Sequence, residues 1–262
     1  MPSSFTIFGV TLYFYGLIIG VAMIAVARIS EWLLQKSNHQ GEAIWDLAFW
    51  VVLVGLIGAR AWHVATDWPL YTDDWLKSLY VWQGGMSILG GVVGGLVGLY
   101  FCRPILKKYS LHMLTVLDVF AVSLPIGQAI GRLGNWVNQE LYGYPTDLPW
   151  KLFIDEQHRV AGFEKYQFFH PLFVYEALGL VVISLGIWKV SQKKSFEIGK
   201  GFLVLLYFIL YSGLRFMLEF LRIEKTTVDG TQLGVNQVIM GIVCIISLSI
   251  FLKRFTLQKS EK

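Results

Sequence analysis

Long apolar runs separated by short polar and charged segments dominate the chain. A helix needs about 20 mostly apolar residues to cross the hydrocarbon core of a bilayer. Runs that meet or approach this length lie at Thr11–Ala27, Ile44–Val64, Ile88–Phe101, Met113–Ile130, Leu172–Trp188, Gly201–Leu221 and Gly234–Leu252. The pattern predicts an all-α polytopic membrane protein with about seven transmembrane helices. The third run is short and rich in glycine, and its ends are the least defined. Within it Gly90, Gly94 and Gly98 form a ridge of small residues that lets a helix backbone, or a lipid chain, approach closely. Between the fourth and fifth runs, about 40 residues from Gly131 to Pro171 are rich in Tyr, Trp and mixed charge. Loops of that length are usually functional or disordered, and this aromatic content argues for a folded extracytoplasmic cap. Residues 1–262 therefore read as a single membrane domain with a cap loop at 131–171. No internal repeat of the kind seen in transporters stands out.

Composition sharpens this picture. Of 262 residues, 55% are hydrophobic and only 15% charged, which leaves too little polar sequence for a separate soluble domain. The positive residues collect on one side of the seven-span arrangement: Arg28 and Lys36, then Arg103, Lys107 and Lys108, then Lys189, Lys193, Lys194 and Lys200, and finally the C-terminal tail. The opposite loops carry Asp67, Asp73, Asp74, Asp147, Asp155, Glu156, Glu164, Glu224 and Asp229. The positive-inside rule then puts the N-terminus outside and the C-terminus in the cytoplasm. The net charge of +4 belongs to this topology and gives no nucleic-acid signal. Ala25-Val26-Ala27 looks like a signal-peptide cleavage site, but no Lys or Arg precedes Arg28, so the first run reads as a retained span. Cys102 and Cys244 have neither metal-ligand nor redox spacing, and neither a metal nor a cofactor is expected.

Polar residues gather in three places. Gly131-Arg-Leu-Gly-Asn-Trp-Val-Asn-Gln-Glu-Leu-Tyr-Gly143 puts Arg132, Asn135, Asn138 and Glu140 at the outer end of the fourth run. Its glycines permit tight turns or close approach to a ligand. A guanidinium at a lipid boundary presents a planar fork suited to phosphate, or it simply snorkels to the headgroups as an anchor. The second cluster, Arg215-Phe-Met-Leu-Glu219-Phe-Leu-Arg222, has spacings of four and three that set all three charges on one helix face. Two cations against one anion leave a positive charge for an anionic ligand, so Arg132 and Arg215 form a candidate clamp for a phosphodiester. A charge ladder that merely joins helices is the alternative. The third cluster is His170-Pro171 with Tyr175-Glu176 one turn on. His170 is a candidate base titrating near neutrality or a helix-start residue before Pro171. Glu176 lies within a span and needs a partner, which Arg132 or Arg215 would supply.

These residues together resemble the bacterial prolipoprotein diacylglyceryl transferases. Gly131 to Gly143 reads like that family's signature of G-R-x-G-N, an aromatic, N-x-E and a final G. Tyr15-Gly16, Trp82-Gln-Gly-Gly-Met-Ser87, His170-Pro171 with Tyr175-Glu176, and Arg215 to Arg222 add supporting matches, with Gln237 a weaker one. Two departures mark a divergent member: Leu89 stands where the family has a histidine important for catalysis, and Leu172-Phe173 replaces its usual hydroxyl residue and glutamine. The resemblance implies transfer of a diacylglyceryl group from phosphatidylglycerol to the lipobox cysteine of a prolipoprotein signal peptide, in a bacterial cytoplasmic (inner) membrane. It implies phosphate binding by Arg132 and Arg215, with Glu219 and Arg222 holding Arg215. Asn135 and Asn138 would orient the headgroup, with Gly143, Gly84, Gly85 and Ser87 completing the binding set. The base is left open among Tyr15, His170 and Glu140. Two other readings are a phosphatidylglycerol-binding relative that has lost catalysis, and, more distantly, a small membrane transporter.

Overall fold

The computed structural model describes residues 4–7, 10–81, 84–231 and 233–260. A strand pair, β1 (Ser4–Ile7) and β2 (Val10–Tyr13), precedes α1 (Phe14–Lys36) and α2 (Ala43–Thr66). Then follow α3 (Ile88–Phe101), the short α4 (Arg103–Lys108), α5 (Met113–Asn138), the two-residue strands β3 (Leu152–Phe153) and β4 (Phe168–Phe169), α6 (Leu172–Ser191), α7 (Phe202–Leu218) and α8 (Val235–Ser260). Among the described residues six helices are long and apolar enough to cross a membrane, and α3 is a shorter apolar helix in the place of the third run. The protein is a multi-pass, mostly helical membrane protein.

Several boundaries differ from the sequence reading; α1 and α8 run on to Lys36 and Ser260, well past Ala27 and Leu252. The first apolar run opens as a strand through Tyr13, and its helix starts only at Phe14. The helix of the fourth run, α5, extends through Asn138 instead of ending at Ile130, so the first half of the glycine-flanked signature is helical. Glycine inside a helix costs about 1 kcal/mol relative to alanine, yet here packing overrides propensity. A Cβ on Gly127 would strike the Val26 side chain, one on Gly131 would lie 3.8 Å from Ile19 Cδ1, and one on Gly134 would overlap the Tyr15 ring. With Ser30 Oγ bonded to Ser123 Oγ at 2.7 Å, these contacts run α1 antiparallel along α5.

The chain forms two compact units, Met1–Ser30 with Leu114–Lys262, and Glu31–Met113. In the larger unit α5 is the hub, the most buried of the long apolar helices among the described residues. Ser184 of α6 donates to Val122 O at 2.6 Å, and Tyr207 of α7 donates to Gln128 Oε1 at 3.1 Å. Asp118, fully buried, accepts from Gly199 N, Gly201 N and Val204 N at 3.0, 2.7 and 3.0 Å. Gly201 occupies the left-handed region at φ 72° and has no side chain with which to cap α7, so a carboxylate from α5 satisfies the orphan amides at that positive helix end.

The cap is folded, as its aromatic content suggested. Tyr142, Ile154 and Phe169 form a small buried core with Leu152, Val160, Phe163 and Ile223 around it. The Tyr142 hydroxyl donates to His158 O and accepts from Val160 N, both at 2.8 Å, and burial pushes this phenol above its ordinary range, keeping its proton in place. Strands β3 and β4 pair antiparallel, and Gly143 pairs with Arg222 across a bridge.

In the smaller unit α2 and α3 pack through glycine: a Cβ on Gly94 would sit 2.5 Å from Val54 O. The buried Arg60 guanidinium gathers four carbonyls, Ser78 O at 2.7 Å, Lys77 O at 2.6 Å, Gly84 O at 2.6 Å and Gly85 O at 2.9 Å. It thereby shapes the segment that leads to Ser87, whose hydroxyl caps α3 at Gly90 N.

Candidate active site

The three polar clusters of the larger unit converge. Arg132, near the end of α5, donates from NH2 to Glu176 Oε1 at 3.0 Å and from NH1 to Asn135 Oδ1 at 3.0 Å. Arg215, near the end of α7, donates to the other Glu176 oxygen at 2.9 Å. Glu219 Oε2 lies 3.6 Å from Arg215 NH2 and 3.5 Å from Arg222 NH1. Three arginines and two glutamates thus alternate in one chain, Arg132–Glu176–Arg215–Glu219–Arg222, carrying a net charge of +1. Both glutamates are buried, at 3% and 2% exposure, while the arginine side chains keep roughly a fifth of their surface open. Asn236 Nδ2 reaches Glu219 Oε1 at 3.4 Å. Among the described residues the buried Arg132 Nε, Glu219 Oε2 and Gln237 Nε2 have no hydrogen-bond partner.

Around this chain stand the remaining candidates. Asn135 and Asn138 both donate to Glu140 Oε1, at 2.9 and 3.3 Å, so the exposed Glu140 is held by the two amides expected to face the headgroup. Its turn is tight: Gln139 and Leu141, on either side, have φ of 51° and 55°. Such left-handed geometry costs a non-glycine residue about 1–2 kcal/mol. Here it is held by Gln139, whose amide donates to Asp155 Oδ2 at 2.6 Å and accepts from Asp155 N at 2.7 Å. Tyr15 rests its ring on Gly134. Gly143 has no room for a side chain, because a Cβ there would meet Leu221 O at 2.7 Å and His170 Cβ at 3.0 Å. His170 Nδ1 lies 3.1 Å from the Tyr175 hydroxyl, which Trp150 Nε1 also reaches at 2.7 Å.

Gly84, Gly85 and Ser87 belong to the smaller unit, where both glycines adopt positive φ. Leu89 lies in the first turn of α3, 64% exposed. Trp82 and Gln83 fall outside the described residues. Sequence reading missed Gln139, Asp155 and Trp150. Only Gln139 carried a signal, being the one unassigned polar residue between Asn138 and Glu140.

The family profile described as prolipoprotein diacylglyceryl transferase matches residues 2–253 of the chain. The chain belongs to that family. A phosphatidylglycerol–prolipoprotein diacylglyceryl transferase of Synechocystis is 34% identical over 263 residues, covering 99% of this chain and 91% of the relative. Relatives of the same name from Prochlorococcus marinus (strain MIT 9301) and Gloeobacter violaceus are 37% and 36% identical, covering 84% and 92% of this chain and 79% and 89% of themselves. In this member of the transferase family, Arg132 and the two asparagines of the signature lie in one connected polar network with Glu140, Glu176, Arg215 and Glu219.

Proposed function

We propose that the protein transfers the diacylglyceryl group of phosphatidylglycerol to the lipobox cysteine of a prolipoprotein. The Arg132–Glu176–Arg215–Glu219–Arg222 chain carries this reading, since its three guanidinia outnumber the two glutamates paired with them and suit the anionic phosphodiester. In the reaction a thiolate sulfur attacks the glyceryl carbon bearing the phosphate ester. The new S–C bond forms as the C–O bond breaks, and glycerol phosphate leaves with one more negative charge than the diester had. Arg132 and Arg215 stabilise that developing charge, the role that fixed donors perform best in a water-poor site. Glu176 and Glu219 hold the guanidinia at fixed spacing, so little reorganisation is needed when the charge appears. Asn135 and Asn138, set by Glu140, orient the glycerol hydroxyls. A free cysteine has a pKa near 8.5, and a cation within about 4–6 Å lowers an acid's pKa by about one to three units. The arginine field therefore raises the thiolate fraction without an imidazole at position 89.

This reading sets the cap and the charge chain on the outer face of a bacterial inner membrane. The C-terminal tail, with Lys253, Arg254 and Lys259, lies in the cytoplasm, as the positive-inside rule requires. The test is to incubate the purified protein with phosphatidylglycerol and a lipobox peptide and to measure the peptide's mass. A gain of one diacylglyceryl group on cysteine is expected. Binding of phosphatidylglycerol without transfer favours a lipid-binding relative and refutes the catalytic role.

A further inference from the structure

The direction of protons around His170 follows from its two aromatic neighbours. An indole N–H only donates, so the 2.7 Å contact makes Trp150 Nε1 the donor and the Tyr175 oxygen the acceptor. The phenol has one proton of its own. Among the described residues, the other hydrogen-bond partner of its hydroxyl is His170 Nδ1, at 3.1 Å. The arrangement Trp150 N–H to Tyr175 O–H to His170 Nδ1 uses each group once and points both protons the same way. It requires Nδ1 to be the acceptor, which leaves the proton of the neutral ring on Nε2.

We propose that Trp150 and Tyr175 are positioning residues that fix His170 in its Nε2–H tautomer, making it a hydrogen-bond donor to the substrate instead of the base. The role toward substrate rests on the transferase reading; the tautomer does not. The backbone around His170 suits a fixed ring. His170 O accepts from Gly143 N at 2.9 Å, His170 N donates to Tyr144 O at 3.0 Å, and Gly143 itself bridges to Arg222. Pro171 then starts the helix that carries Glu176. The imidazole is thus tied to the same frame as the charge chain, and a donor at Nε2 serves a phosphate ester whose oxygens gain charge as the C–O bond breaks. The proton that leaves the thiol must go elsewhere, which leaves Tyr15 and Glu140 as its candidate acceptors.

The test is nitrogen NMR of histidine-labelled protein in micelles, at a pH where imidazole is neutral, with His170→Gln to assign the signal among five histidines. A pyridine-type Nδ1 and a pyrrole-type Nε2 are expected for His170. Tyr175→Phe removes the phenol and should shift the tautomer ratio about fivefold to tenfold, the factor carried by one neutral hydrogen bond. Trp150→Phe, at a site 59% exposed where folding is not at risk, frees the phenol oxygen to accept from Nδ1–H and should shift the ratio in the same direction. Both variants should lower kcat with KM for phosphatidylglycerol little changed, whereas loss of folded protein alone would reduce active enzyme and leave the tautomer intact. An Nδ1–H tautomer in an active enzyme, or a ratio unchanged in both variants, overturns the inference alone. An Nε2–H tautomer in a protein that transfers nothing upholds the hydrogen-bond assignment but overturns the donor role together with the transferase reading.

Discussion

Replacing Glu176 with glutamine probes the charge chain at its centre. The carboxylate is 3% exposed, and each of its oxygens takes one guanidinium, at 3.0 and 2.9 Å. An amide has a single acceptor oxygen, so one arginine would face an NH2 group instead. A hydrogen bond to a charged group contributes about 1.5–3 kcal/mol, and removing one partner of a buried ion pair costs about 3–5 kcal/mol. The two arginine side chains retain 24% and 18% exposure, so solvent offsets part of this, and a loss near the lower bound, about 3 kcal/mol, is expected. The substitution also raises the net charge of the chain from +1 to +2, so an anionic lipid should stabilise the variant more than the unaltered protein. A ligand at about 100 times its Kd contributes about 2.7 kcal/mol, enough to recover most of the loss. Thermal unfolding in detergent, with phosphatidylglycerol or phosphatidylcholine added, reads both effects. A variant as stable as the parent, or one stabilised equally by the two lipids, refutes the anion-seat reasoning.

Other perturbations give separate readings. Arg132→Ala and Arg215→Ala should each lower transfer about 100- to 1,000-fold, the usual loss for one donor to a developing oxyanion; Arg132→Lys should restore little, because a point charge does not copy a planar fork, and near-normal rates would dismiss the clamp. Asp118→Ala leaves three amides of the α7 start without their acceptor, at about 1–3 kcal/mol for a buried one, and should lower the unfolding temperature and speed amide exchange at Gly201 and Val204. Leu89→His should alter the pH profile of transfer without being required for it; an inert parent with activity only in Leu89→His would refute the arginine-field account of thiol activation.

Much of this organisation was legible because membranes impose a coarse grammar. Apolar runs located every long helix, and the Tyr- and Trp-rich segment after Ile130 announced the folded cap. The spacing of Arg215, Glu219 and Arg222 put the three charges near one another, although α7 ends at Leu218 and Arg222 lies in extended backbone past a short 3-10 turn, and the lone acid Glu176 announced a need for cations. Hidden were the features set by contacts distant in sequence. Nothing local indicates that α5 continues past Gly131 and Gly134, because the reason is the approach of Ile19 and Tyr15 from α1. Asp118 looks like an expensive acid in a span until the amides near Gly201, 83 residues away, arrive at it. The Gln139–Asp155 exchange is equally silent, since an amide in a turn is common and its partner lies across the cap.

On the proposed reading, the two glutamates explain why the site has five charges where two would hold a phosphate. Three arginines alone at this depth would repel one another and lose hydration, and the fold would have to bear that cost before any substrate arrived. Interleaving Glu176 and Glu219 removes most of it: Glu176 bonds Arg132 and Arg215, and Glu219 lies at ion-pair distance from Arg215 and Arg222, while the chain stops one charge short of neutrality. Full neutralisation would make the network a helix-joining ladder with no preference for an anion. A larger excess would bind the dianionic product more tightly than the monoanionic diester and slow its release. Under the proposed mechanism, a surplus of one keeps substrate binding, stabilisation of the leaving phosphate and product departure compatible within one set of side chains.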